Sequence, residues 1–256
     1  MMGWSKRPVY WIENRLLHVS VVFTWHLSVV RSQLIQRSFL WDRVIVGGPA
    51  ISLMPHYFDD LGFVSVGQHS PGALQRHNSN ATRTTAGCNN RCGFCGVAKI
   101  NHGFRELLDW LDLPILVDDN LLACSPEHFS RVIDRLKSHP QCDFNQGLDS
   151  RLMTEYRAYL LAELPGAMIR LSLDNMDHAD VWERALNMLR DAGIPKKRIR
   201  SYALVGYLDT PEFAWERCQW IRKHGIDPLP MWYHKLDAME HNEITEQHGN
   251  FFHKEV

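Results

Sequence analysis

From residue 81 onward, short apolar and β-branched runs alternate with stretches whose apolar residues recur at i, i+3, i+4 and i+7. The strand-like runs are residues 81–85, 115–118, 142–146, 168–173, 199–205 and 227–232. Their starts lie about 30 residues apart, enough for one strand, one helix and two loops. The helices between them carry their own start and stop signals. Ser125-Pro126-Glu127 supplies an N-cap, a proline at the first helical position and an early acid, and Phe129, Val132, Ile133 and Leu136 then fall on one face. Thr210-Pro211-Glu212 repeats that opening for a helix burying Ala214, Cys218 and Ile221 and stopping near Gly225, while Val181, Ala185, Met188 and Leu189 belong to a helix ending at Gly193. Six parallel strands with right-handed helical crossovers are predicted, an α/β fold that closes or curls into a partial (β/α)6 TIM-like barrel over residues 81–233.

Residues 1–80 read differently. A strand over 16–25, a helix over 28–39, a strand over 42–47, a short helix over 55–60 and a strand over 63–66 make part of a doubly wound sheet, a truncated Rossmann-like segment. Residues 67–79, rich in Gly, Pro, Ser, His and Asn, read as a linker, and 234–256 as a C-terminal tail. The apolar run at 16–30 is interrupted by His18 and His26 and followed by Arg31, so neither a membrane span nor a secretion signal is expected there.

Composition narrows the classes further. The chain has 256 residues, of which 45% are hydrophobic, ample for a core, and its 22% charged and 11% aromatic content excludes a disordered chain. A net charge of -1 argues against a general polyanion-binding surface. Six cysteines are too few for a disulfide scaffold, and three of them crowd together as Cys88, Cys92 and Cys95. A metal-binding protein of a reducing compartment, the cytoplasm, is the expectation.

The spacing CxxxCxxC directly follows the first barrel strand. Three thiolates on one tight loop can hold three irons of a cubane cluster and leave the fourth iron open to a non-protein ligand. Structural zinc sites usually close with four protein ligands in two pairs, and no second CxxC or HxxxH lies downstream. The spacing therefore favours a 4Fe-4S cluster over zinc.

With Phe94 just before the third cysteine, the motif resembles that of the radical S-adenosylmethionine enzymes, and the resemblance covers residues 81 to about 232. It implies that S-adenosylmethionine chelates the open iron and that one electron, from a flavodoxin- or ferredoxin-type donor, breaks a sulfur-carbon bond to give a 5′-deoxyadenosyl radical. It also implies positions for cofactor contacts. Asp118-Asp119-Asn120 stands where the family contacts the methionine amino group, with Asp119 and Asn120 the candidates; one acid here can equally cap the next helix. Arg151 is placed to fork onto the methionine carboxylate. Ser172 and Asp174 stand at the ribose position, Gly206 beside the adenine, and Met231, within Pro230-Met231-Trp232, on the segment flanking that base.

Other features carry less. Cys124, Cys142 and Cys218 match no compact motif and read as buried structural thiols. His234, His241 and His248 recur every seven residues, which on a helix separates them by about 10 Å, too far to share a metal. The basic run Lys196-Lys197-Arg198-Ile199-Arg200 reads as a charged loop rather than a nucleic-acid contact. Val44-Ile45-Val46-Gly47-Gly48-Pro49 resembles the cobalamin-binding-like domain of one branch of the family, but the Asp-x-His-x-x-Gly loop is missing, so a degenerate scaffold is favoured over bound cobalamin. Two rival functions remain: a zinc-stabilised interaction or nucleic-acid-binding module, and a cobalamin-dependent methyltransferase. No side chain stands out as a second catalytic group; Tyr202, Tyr207 and Tyr233 qualify only by lying near strand ends.

Overall fold

An Asn-Arg turn opens the fold in the computed structural model, which describes residues 4–5, 7–67 and 72–239. Asn14 and Arg15 both take positive φ, 50° and 66°, the backbone of a tight hairpin turn whose twist matches the strands it joins. β1 (Val9–Glu13) therefore folds back antiparallel on β2 (Leu16–Ser20). The chain continues through α1 (Leu27–Gln36), β3 (Val44–Gly47), α2 (Pro49–Leu53), β4 (Val64–Val66) and α3 (Ala73–His77). The sheet order is β1-β2-β3-β4, with β2, β3 and β4 parallel.

Two expectations for this region are corrected. The short helix lies at Pro49–Leu53 rather than at 55–60, because Gly48 turns the chain at φ 99° and Pro49 supplies the preset φ of a first helical position. Within 67–79, α3 buries Ala73 and His77, and His77 Nε2 stands 2.9 Å from Ser20 Oγ, so its residues belong to the packed unit; positions 68–71 lie outside the described residues.

The described residues divide into two compact units: one gathers those up to Asn80, Phe94–Ile100 and the segment from His234, the other Ala81–Gly93 and Asn101–Tyr233. In the first, Leu17, Val19, Val44 and Val46 point inward at strand period two and meet Leu27, Val30 and Leu34 of α1.

The second unit runs through β5 (Ala81–Thr82), β6 (Thr85–Ala86), then, past α4 (Val97–Ile100), which groups with the first unit, through β7 (Arg105–Glu106), β8 (Ile115–Leu116) and α5 (Pro126–Leu136). It continues with β9 (Cys142–Phe144), α6 (Glu155–Ala162), β10 (Ala167–Ser172), α7 (Ala179–Asp191), β11 (Ile199–Val205), α8 (Pro211–Lys223) and β12 (Asp227–Trp232). Six of its strands form one sheet in the order β5-β8-β9-β10-β11-β12, every pair parallel. The expected strand over 81–85 breaks at Arg83, and Thr85–Ala86 leaves the sheet to pair antiparallel with β7.

The predicted helix starts hold where their chemistry was explicit. Ser125 Oγ accepts from His128 N at 3.2 Å, and Thr210 accepts from Phe213 N at 3.4 Å. Phe129, Val132, Ile133 and Leu136 of α5 pack with Trp182, Leu186 and Leu189 of α7 and Ile221 of α8 in one core. Each large side chain so buried contributes about 1.5–3 kcal/mol. Trp182, fully enclosed, donates its indole N–H to Ser201 Oγ at 2.9 Å. In the basic run, Arg198 donates to the Ala167 carbonyl at 2.9 Å and Arg200 pairs with Asp227 at 3.0 Å, so two of its cations serve the fold.

β12 is the outer strand of this sheet. Tyr233 N donates inward to the Val205 carbonyl at 2.8 Å, and since strand N–H groups alternate sides, positions 228, 230 and 232 face away from β11. Two of those positions are Pro228 and Pro230. No helix among the described residues is long and apolar enough to cross a membrane.

Candidate functional site

Parallel pairing sets the carboxyl ends of β5, β8, β9, β10 and β11 along one edge of the larger sheet. The cysteine motif leaves from that edge, in the excursion between β6 and β7. Its neck is tight. Gly87 has φ 81°, and a Cβ added there would stand 1.7 Å from the Gly103 carbonyl oxygen, so only glycine fits immediately before Cys88.

Asp118 and Asp119, at the end of β8, brace this neck in different ways. Asp118 is buried, and its Oδ1 accepts from Thr84 N at 2.7 Å, from the Thr84 and Thr85 hydroxyls at 3.0 Å each, and from Thr85 N. Burial pushes its carboxyl above the ordinary value, only partly opposed by those donors. Asp119 Oδ2 accepts from Gly87 N at 2.7 Å and from Asn101 Nδ2 at 2.8 Å, and its Oδ1 faces Arg83 at 3.6 Å.

Asn120 reaches the motif itself. Its Nδ2 donates to Cys88 Sγ at 3.4 Å and to Asp149 Oδ2 at 3.2 Å, and its buried Oδ1 has no partner among the described residues. Asn90 N donates to the same sulfur at 3.4 Å, and Asn90 Nδ2 to Asp149 Oδ2 at 2.8 Å. Arg151 forks onto Asp149 through Nε at 2.7 Å and Nη2 at 2.9 Å. Burial raises the Asp149 carboxyl, but Arg151 and Asn90 outweigh it and leave the group below the ordinary carboxylate value.

Further along the edge, Ser172 Oγ donates to Asp174 Oδ2 at 2.7 Å, and burial pushes the Asp174 carboxyl up. Gly206 has φ 89° and donates its N–H to Asp209 Oδ1 at 2.8 Å, so the glycine serves a turn, which the buried Asp209–Arg217 pair holds. Tyr207 follows, its hydroxyl so close to Gly93 that a Cβ there would lie 2.3 Å away. On the open face of the sheet, Arg170 binds Asp143 with Nε at 2.8 Å and Nη2 at 2.5 Å and donates to Tyr202 Oη at 3.1 Å, and Tyr202 donates to the Asn145 carbonyl at 2.6 Å. Met231 is half exposed on β12, and Phe94 is half-buried.

The structure thus joins Asn120, Arg151 and Cys88 in one network through Asp149, and joins Ser172 to Asp174. It does not tie Gly206 or Met231 to that network. Asp149, the carboxylate that links the network, was missed in the sequence, as were Asn90 and the Gly93–Tyr207 contact. The only sequence signal for Asp149 was its place in the polar run following β9.

The donor chemistry suits an iron–sulfur cluster. Cys88, Cys92 and Cys95 are half-exposed and in no disulfide, and Cys88 Sγ already receives two N–H donors, as cluster thiolates commonly do. Among the described residues no three His, Cys, Asp or Glu side chains gather closely enough to hold a metal ion. The other cysteines differ. Burial pushes Cys124 and Cys142 up to about 12 and Cys218 up to about 11, fitting inert core thiols. His234 lies 5.0 Å from the Trp25 ring, whereas His241 and His248 lie outside the described residues. Compared with known proteins, the chain matches no family model and no curated protein.

Proposed function

We propose that the chain is a radical S-adenosylmethionine enzyme in which Cys88, Cys92 and Cys95 are the protein ligands of a 4Fe-4S cluster. The observation that carries this reading is the CxxxCxxC loop at the carboxyl edge of a sheet of six parallel strands in unbroken order, with N–H donors already on one of its sulfurs. When bound, the cluster and S-adenosylmethionine supply one-electron cleavage of a sulfur–carbon bond and the hydrogen abstraction that follows.

The chain's own residues hold and orient. Consecutive strand order with right-handed crossovers brings the helices to one face, and we infer that the sheet curls into a partial (β/α)6 barrel with its polar face inward. Asn120 Oδ1, buried and without a partner among the described residues, is an acceptor for an ammonium-type donor such as the methionine amino group. Asp119 keeps the loop neck closed beside it. Ser172 and Asp174 offer a hydroxyl and a carboxylate to ribose hydroxyls, while Gly206 and Met231 line the far end of the same edge. Arg151, engaged with Asp149, reaches a substrate carboxylate only with its remaining N–H groups. A flavodoxin- or ferredoxin-type donor supplies the electron, and the reducing cytoplasm suits a chain whose six cysteines form no disulfide.

The test is anaerobic reconstitution with iron and sulfide, then reduction with dithionite in the presence of S-adenosylmethionine. About four irons per chain and release of 5′-deoxyadenosine are expected, with both lost in a Cys88→Ala, Cys92→Ala, Cys95→Ala protein. A single zinc held by these cysteines in native material, or iron content indifferent to their removal, would overturn the reading in favour of a metal-stabilised module.

A further inference from the structure

We infer that Asp149 is a positioning residue for the cysteine loop: one carboxylate that aims N–H donors at the sulfur of Cys88. The inference deepens, and rests on, the cluster reading above. Asp149 lies at the start of the short helical turn after β9, with its side chain 10% exposed. It receives hydrogen bonds from Asn90, Asn120 and Arg151, which come from three separate segments. Two of these residues also reach Cys88: Asn90 through its backbone N–H and Asn120 through its side-chain amide, both at 3.4 Å from the sulfur.

The chemistry of the donors makes this arrangement directional. A primary amide carries two hydrogens, so Asn120 can hold one on Asp149 Oδ2 and turn the other to the sulfur. Fixing the first fixes the second. Arg151 gives two of its N–H groups to Asp149 as a fork, which fixes the carboxylate plane toward which the amides turn. Without the carboxylate, Asn120 has two free rotamer choices and no reason to keep a hydrogen on sulfur. Hydrogen bonds to cluster sulfurs stabilise the reduced, more negative cluster, so their orientation sets the reduction potential.

The test is a double-mutant cycle read as the midpoint potential in an EPR-monitored redox titration of reconstituted protein. In the presence of Asp149, Asn120→Ala is expected to shift the reduction equilibrium about tenfold toward the oxidised cluster, about 59 mV for one electron. In an Asp149→Ala background, which leaves no acceptor, the same substitution is expected to shift it less than threefold, because the amide is no longer aimed. Equal shifts in both backgrounds would show that Asp149 does not act through Asn120 and would sink the inference. A wild-type protein that binds no iron removes the cluster reading itself, a distinct outcome. Should Asp149→Ala fail to load iron, Asp149→Glu, which keeps the charge but displaces it by a methylene, serves as the second background.

Discussion

The two sheets are built on the same plan and finished differently. Both run in unbroken strand order, and β2, β3 and β4 of the smaller sheet, like all six strands of the larger, send their carboxyl ends to one edge. In the smaller sheet that edge is closed by backbone. Val21 N donates to the Gly47 carbonyl at 2.9 Å, and Gly67 N to the Val46 carbonyl at 2.9 Å. A Cβ on Gly48 would stand 2.5 Å from the Val21 carbonyl oxygen, and one on Gly67 would lie 2.3 Å from Ile45 Cγ2. In the larger sheet the corresponding edge carries Asp118, Asp119, Asn120, Asp149, Ser172 and Asp174 instead. Backbone against backbone leaves no room for a ligand; carboxylates, amides and hydroxyls at strand ends bring the polar chemistry that a ligand needs. Strand order alone therefore does not announce a site. The side chains at the strand ends do.

Thiol reactivity gives the widest separation between edge and core. In metal-free protein at pH 8.5, iodoacetamide should modify Cys88, Cys92 and Cys95 about a thousandfold faster than Cys124, Cys142 or Cys218, as read by mass spectrometry of digests. Comparable rates for all six would mean that the core of the larger unit is open. Next come the supports of the two edges. Asp118→Ala, which strands the Thr84 and Thr85 donors, should cost about 3–5 kcal/mol in urea unfolding, and Asp118→Asn far less because an amide oxygen still accepts. Since burial raises the folded pKa of Asp118, the wild type should lose stability relative to Asp118→Asn as pH climbs from the unfolded value through the folded one.

Gly48→Ala should destabilise the smaller sheet by about 2–3 kcal/mol, because φ 99° with ψ 170° is essentially closed to other residues. A neutral result would dissolve the contrast between a backbone-sealed edge and a furnished one. Each unit also holds a buried histidine, His77 in one and His128 in the other, with its pKa lowered chiefly by desolvation. Their stabilising contribution is complete above the unfolded value near 6.5 and lost as pH falls through the depressed folded value. Lowering the pH from 7.5 to 5.5 should therefore cost about 1 kcal/mol per histidine at most, and His128→Gln should remove one share of that acid sensitivity. Ser172→Ala should be the mildest, at most about 1 kcal/mol, since its half-buried hydroxyl gives the fold one hydrogen bond, to Asp174.

Much of this architecture was readable from residue pattern. β11 and β12 stand at their expected bounds, and α5 and α8 begin where Ser-Pro-Glu and Thr-Pro-Glu said they would. β1 escaped because its hairpin turns at Asn14-Arg15 without a glycine, so the usual marker of positive φ was missing. β6 and β7 are two residues each and pair across the whole cysteine loop, too short to show any period. For the candidate site, the cysteines declared themselves by spacing. Asp149 did not, since its meaning lies in contacts to Asn90 and Asn120, respectively 59 and 29 positions away in the chain.

The prolines of β12 decide what this surface can do in a concentrated solution. An outer strand usually offers a row of free N–H donors on which another copy can pair, the first step toward strand-swapped oligomers or fibrils. Pro228 and Pro230 remove two consecutive donors from the outward register, leaving an incoming strand with carbonyls it cannot satisfy from both sides. The larger sheet therefore ends at β12 by its chemistry, and that rim is a poor template for aggregation.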